Sequence, residues 1–174
     1  IQFGYGNDPR TRSAIQWLLA TQRADGMWLC AWKCQRRGCL RATHDFLRLA
    51  ALDAEIASLS ATTRAADVIL GLLLEPDMGR YHVGDFWQTL QYPYFDYSII
   101  STLDALARLG YGLEHPRIAL AVDFLLHRQM PDGRWHLNES VFHPPLDFGR
   151  PGEPNPWLTL DALIVLKLFG RIQL

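Results

Sequence analysis

The chain writes one pattern twice. Asp8 to Trp28 ends in Gln22-Arg-Ala-Asp25-Gly26-Met-Trp28, and His115 to Trp135 ends in Gln129-Met-Pro-Asp132-Gly133-Arg-Trp135. Pro9, Arg10, Ala14, Leu18 and Leu19 return without a gap as Pro116, Arg117, Ala121, Leu125 and Leu126. A worn copy lies between them, where Arg64 to Leu74 is followed by Asp77-Met-Gly79-Arg-Tyr81. A fixed period of this length means stacked supersecondary units, each able to bury its apolar face only against a neighbour.

Each Gly-x-aromatic triplet is followed by a second recurrent element of the form Thr-x-Asp-x-Leu, at Thr43, Thr102 and Thr159. A unit therefore reads as helix, turn, connecting loop, helix. Ala14, Trp17, Leu18 and Ala121, Phe124, Leu125 fall at the three-and-four spacing of one helix face, as in an outer layer. The second helices are apolar nearly all round, above all Leu158 to Phe169, which suits an inner layer. Gly26 and Gly133 sit where a helix must stop and turn, which favours a left-handed backbone. Asp25 and Asp132 are natural turn formers, and Trp28 and Trp135 supply large plates to pin the loops. Gln22 and Gln129 are placed to bond the backbone of the next unit. Residues that return in every unit are expected to serve structure, so Asp25 and Asp132 are read as structural before catalytic.

This repeat resembles that of the terpenoid cyclase and protein prenyltransferase superfamily, in which Gln-x-x-x-Gly-x-Trp closes the first helix of each pair. The resemblance is carried by Gly6-Asn-Asp-Pro-Arg10 through Trp28-Leu-Cys30, and by Asp132-Gly-Arg-Trp135 through Trp157-Leu-Thr-Leu-Asp-Ala-Leu163. Within the superfamily, the chain looks most like a bacterial group described as squalene-cyclase-like or prenyltransferase-like. The fold it implies is all-α, an α/α toroid with outer helices around inner ones. Residues 1–174 then form one toroid domain of about three helical hairpins, half of a closed ring. The start at Ile1, already close to the repeat, leads us to expect the C-terminal fragment of a longer chain. Three pairs in an open arc leave apolar inner surface, to be covered by a missing N-terminal half or by a second copy. The function the resemblance implies is a polyprenyl or other apolar small molecule handled in an aromatic-lined cavity. The alternative is a non-catalytic toroid that binds a peptide, a lipid or a partner subunit on its concave face, because members of one fold differ in function.

Composition narrows the classes. The hydrophobic fraction of 49% is ample for a core, and a net charge of −1 with interspersed signs gives no footprint for nucleic acid. No run of about twenty apolar residues predicts a membrane span, and a cytoplasmic location is expected. The nucleophile elbow Gly-x-Ser-x-Gly and the zincin helix His-Glu-x-x-His are both absent from the sequence.

What differs between units carries the chemistry. The gap from each turn glycine to the next Thr grows along the chain, so length variation falls in one class of loop: residues 29–38, 82–95 and 136–156. In repeat folds such insertions build the binding face. The first loop holds Cys30, Cys34 and Cys39, with His44 one turn into the next helix, a set that could bind zinc. Buried reduced cysteines, or one disulfide and a spare thiol, are the alternatives. The Asp-x-Cys zinc motif of the prenyltransferases is absent. The second loop is aromatic, with Trp87, Tyr92, Tyr94 and Tyr97 as cavity wall and Asp96 as a possible acid. Packing of the loop onto the core is the competing explanation, and the Asp-x-Asp-Asp protonating motif of the squalene-hopene type is absent. The third loop carries His143, held stiffly by Pro144 and Pro145 and expected to reach toward substrate.

Overall fold

The structure is a computed structural model that describes residues 1, 3–30, 38–75, 87–94, 97–138 and 147–173. Among them the regular secondary structure is helical, with isolated bridges that include Trp28 with Cys39 and His136 with Pro154. The helices are α1 (Pro9–Ala20), α2 (Leu40–Ala50), α3 (Ala54–Ala57), α4 (Ser60–Leu72), α5 (Ile99–Arg108), α6 (Pro116–His127) and α7 (Pro156–Leu168). They fall into two compact units, Ile1–Gly71 and Leu72–Leu174. No helix among the described residues is long and apolar enough to cross a membrane.

The repeated sequence builds repeated local structure, bond for bond. Asp8 and His115 cap α1 and α6 by accepting the backbone N–H of Arg10 and Arg117, each with proline at the first helical position. Both helices run into a glycine with positive φ, +81° at Gly26 and +82° at Gly133. The turns are closed by Arg23 N–H to Met27 O and Met130 N–H to Arg134 O. Asp25 accepts from Met27 N and Asp132 from Arg134 N, so these carboxylates do serve the turns.

The tryptophans and glutamines lock each turn to its helix. Trp28 Nε1 donates to Leu18 O at 2.7 Å, and Trp135 Nε1 donates to Leu125 O at 2.8 Å. In each case the indole reaches a carbonyl near the helix end that also accepts from a backbone N–H three residues on, that of Thr21 or Arg128. Gln22 and Gln129 each donate to the carbonyl of the turn glycine at 2.9 Å. Gln22 also donates to Ala61 O of α4 and accepts from Arg64, reaching the next helix as expected. Gln129 reaches only its own turn in the bonds described.

The recurrent threonine closes the unit. Thr43 and Thr159 donate to the carbonyls of Cys39 and Asn155, both at 2.8 Å, and accept from the backbone N–H of Trp28 and Trp135. Cys39 N–H and Asn155 N–H in turn donate to the carbonyls of Trp28 and Trp135. Each connecting loop is therefore pinned at both feet to the same residues. The middle repeat lacks a comparable description, because its turn (Gly79, Tyr81) lies outside the described residues.

Burial departs from the expected faces at two helices: α7, read as apolar nearly all round, leaves Trp157, Leu160 and Leu168 about half exposed, and α1 leaves its expected face bare. Helix α5 buries residues on all sides, including Ile99, Ile100, Thr102, Leu103 and Leu106, and packs against α6 and α7. In α6 the buried face is Ile118, Ala121, Val122 and Leu125. In α1 the face read from Ala14 and Trp17 is not the core face. Ile15 is buried and Leu18 half-buried, whereas Ala14 is exposed and Trp17 is 65% exposed.

The two glycines give a comparative prediction. Any side chain at φ near +80° costs about 1–2 kcal/mol. At Gly133 an added Cβ meets nothing nearer than 3.8 Å, but at Gly26 it meets Arg64 O at 2.9 Å and Val68 at 3.1 Å. Urea unfolding should show Gly133→Ala losing about 1–2 kcal/mol and Gly26→Ala losing more. Equal losses would mean that the turn does not press on α4.

Candidate functional site

The described chemistry-bearing residues concentrate in the second unit, where the ends of two connecting loops are tied together. Leu90 N–H donates to Asn138 Oδ1 at 2.8 Å, and Asn138 N–H returns a bond to Leu90 O at 2.7 Å. This fixes residues 87–94 beside the start of the third loop. On the far side of that loop, Asn155 caps α7 and donates to Phe148 O at 2.6 Å.

The aromatic residues then divide into two sets. Trp87 and Tyr97 are buried, with ring centroids 4.9 Å apart, and they pack the loop onto the core. Tyr92 is half-buried at the centre of the second set. Its ring stands edge-on to Tyr94 at 5.5 Å and to Phe148 at 5.8 Å, and lies parallel to Trp157 at 6.0 Å. Trp157 sits in the first turn of α7 with about half its surface exposed. Edge-on and parallel contacts at these separations are the favourable ones for aromatic quadrupoles.

One tyrosine of this set bonds a carboxylate. Tyr94 Oη donates to Asp161 Oδ2 at 2.9 Å. Burial pushes the Asp161 carboxyl above its ordinary range; the Tyr94 bond opposes this, and the negative charge of Asp104 adds to it. Asp104, on α5, is itself held by Arg108, whose Nε lies 2.9 Å from both carboxylate oxygens. Burial also raises Tyr94, with the Asp161 charge second, so that phenol stays protonated across the working pH range. Tyr92 moves the same way for the same reasons. A carboxyl raised by burial and set beside an aromatic cluster is suited to exchanging a proton or steadying a nearby positive charge.

The other expected residues are placed as follows. Cys39 is buried at the N-cap of α2 and makes no side-chain capping bond, although Asn155 and Ser98 cap with their side chains at the matching positions. His44 is buried, with Nδ1 3.6 Å from the Asp45 carboxylate, where α5 and α7 carry Leu103 and Leu160. Cys30 is half-buried. Cys34, Asp96 and His143 lie outside the described residues. Among the described residues no group of three His, Cys, Asp or Glu could hold a metal ion.

Asp161, Phe148 and Trp157 were not among the residues singled out from sequence. Asp161 belongs to the recurrent Thr-x-Asp element, which reads as scaffold. The distinguishing signal lies in what surrounds each copy: Asp45 is exposed, Asp104 is paired with Arg108, and only Asp161 meets the tyrosine of an aromatic loop. No family model matches the chain, and no curated protein matches it.

The raised Asp161 gives a signed pH effect. Between its ordinary value of 3.8 and its higher folded value, the folded state binds more protons than the unfolded one. The Asp161 contribution to stability is therefore fully present below that window and is lost as pH rises through it. Asp161→Asn keeps an acceptor for Tyr94 and should flatten that decline in stability measured against pH. An unchanged slope would show that Asp161 titrates normally.

Proposed function

We propose that the chain is part of an α/α toroid of the terpenoid cyclase and prenyltransferase type, and that it binds a polyprenyl or similarly elongated apolar molecule over the Tyr92, Tyr94, Phe148 and Trp157 rings. The observation that carries this reading is the Tyr94–Asp161 bond, which joins a partly buried carboxyl in the middle of an apolar helix to the aromatic cluster. The bond-for-bond agreement of the Gly26 and Gly133 turns supports the repeat on which the toroid reading stands.

In this reading Asp161 takes the acid role expected of Asp96, which lies outside the described residues. Tyr94 bonds Oδ2, which leaves Oδ1 as the oxygen that would pass a proton to substrate. Transfer to an isoprenoid double bond would use the alkene π pair to form the new C–H bond. The adjacent carbon would be left cationic and the aspartate anionic, with the Tyr92 and Trp157 faces stabilising the cation. Trp87 and Tyr97 act as supporting wall, and His143 remains a proposed substrate contact.

Zinc is a separate proposal. Cys39 and His44 fit it in kind, because each departs from what the repeat puts at its position: a thiol where Ser98 and Asn155 stand, and an imidazole where Leu103 and Leu160 stand. With Cys30 and Cys34 they would supply a closed sulfur and nitrogen set that anchors the first loop. Elemental analysis of protein purified without chelators should find about one zinc per chain, lost in Cys39→Ser. A metal-free wild-type chain would assign these residues to packing.

The ligand reading is tested by quenching of tryptophan fluorescence with farnesol. Wild-type protein should saturate. Trp157→Ala and Tyr92→Ala should each weaken binding by about tenfold, the worth of one aromatic contact. Asp161→Asn should bind as wild type but lose at least about 100-fold in turnover of a linear polyprene. Binding without wild-type turnover would leave a non-catalytic lipid-binding repeat, and no saturable binding would overturn the reading.

A further inference from the structure

Matching positions in the three repeats are buried in some copies and bare in others, and the differences fall on two faces. Aligned from their first residues, α1, α4 and α6 carry alanine at the same place: Ala65 and Ala121 are fully buried, but Ala14 is exposed. Aligned in the same way, α2, α5 and α7 carry His44, Leu103 and Leu160. The first two are at most 1% exposed, whereas Leu160 is 51% exposed. Ile100 of α5 is 1% exposed and its counterpart Trp157 is 49% exposed. On α7 the uncovered residues Trp157, Leu160 and Leu168, with half-buried Ile164, recur at helical spacing and make one stripe.

The second unit contains the contact that covers this stripe on its neighbour. Helix α5 packs against both α6 and α7, the outer-type and inner-type helices of the repeat that follows it. Ile100 and Leu103 of α5, and Ala121 of α6, are buried. By repeat equivalence α7 stands where α5 stands, and the helices that would pair with it stand where α6 and α7 stand. Those counterparts are α1 and α2, and Ala14 with Trp17 on α1 is bare. One chain thus presents the α7 stripe and the α1 part of the surface that would cover it, both bare.

We propose that the α1–α2 hairpin of a second copy of this chain packs around α7, as α6 and α7 pack around α5 within it. The contact is head-to-tail, so a copy uses a different face at each end. Its chemistry is that of the established contact: a small alanine lets the helices approach, and Leu160, Ile164 and Leu168 fill the groove. It does not rest on the ligand reading. Trp157 is shared between the two, so the test uses Leu160 and Ala14, neither of which belongs to the aromatic cluster.

Sedimentation velocity over a concentration series tests this on the whole chain. Wild-type protein should self-associate, and Leu160→Asp and Ala14→Arg should each weaken association by about tenfold or more. Both positions are solvent-exposed, so circular dichroism should show an intact fold. Mixing the two variants should then restore a one-to-one complex, because the α1 face of the first and the α7 face of the second remain intact. Wild type that stays monomeric at every concentration would overturn the proposal. So would association that neither substitution weakens, or variants that fail to complement each other, which would indicate a symmetric contact.

Discussion

The indole N–H of the Gly-x-Trp turn organises the described repeats. A helix end leaves its last backbone carbonyls short of regular intrahelical donors, and an added side-chain bond there ties whatever carries it to the helix. Trp28 and Trp135 supply such a bond, each donating to a carbonyl ten residues earlier in the chain that also accepts from the backbone N–H of Thr21 or Arg128. For the indole to swing back over the helix, the chain must reverse within a few residues, and the positive φ of Gly26 and Gly133 provides that reversal. The aromatic backbone N–H then meets the recurrent threonine, whose own bond fixes the next helix at its cap. Turn, loop feet and second helix are one connected set of bonds, so sequence between the feet can vary without disturbing the helices. That freedom is what lets a repeat carry chemistry in its loops.

In the second unit, the pinned loops bring an aromatic set over α7. The same geometry that makes Asp161 a member of the repeat makes it available to Tyr94. Its poise comes from partial burial and from the neighbouring recurrent Asp104, not from any feature confined to one loop. A scaffold residue has been given a second setting by the loop laid over it, which agrees with the general pattern that function departs from repeat regularity.

The turns were legible in the sequence because each bond that defines them joins residues at a fixed spacing. Gln22 to Gly26, Asp25 to Met27 and Trp28 to Leu18 all recur in the second copy at the same offsets. Burial was less legible, since spacing shows which residues share a helix face but not whether a neighbour covers it. Ala14 and Trp17 lie on one face by spacing, yet that face is bare while Ile15 goes inward. For the site, Trp87, Tyr92, Tyr94 and Tyr97 could be chosen from local aromatic density. Asp161 and Trp157 could not, because their partners lie more than sixty residues away in sequence. The division of the aromatics into packing and half-exposed sets also depends on that distant helix.

The account stands on the indole bonds, and native-state hydrogen exchange of the tryptophan side chains reads them directly. The six indole N–H signals can be assigned by substitution and followed in deuterated buffer. Trp28 and Trp135 should exchange only through global unfolding, and Trp17, exposed on α1, should exchange at once. If Trp28 and Trp135 exchanged as fast as Trp17, the turns would not be locked to their helices, and the repeat could not hold the loops that form the site.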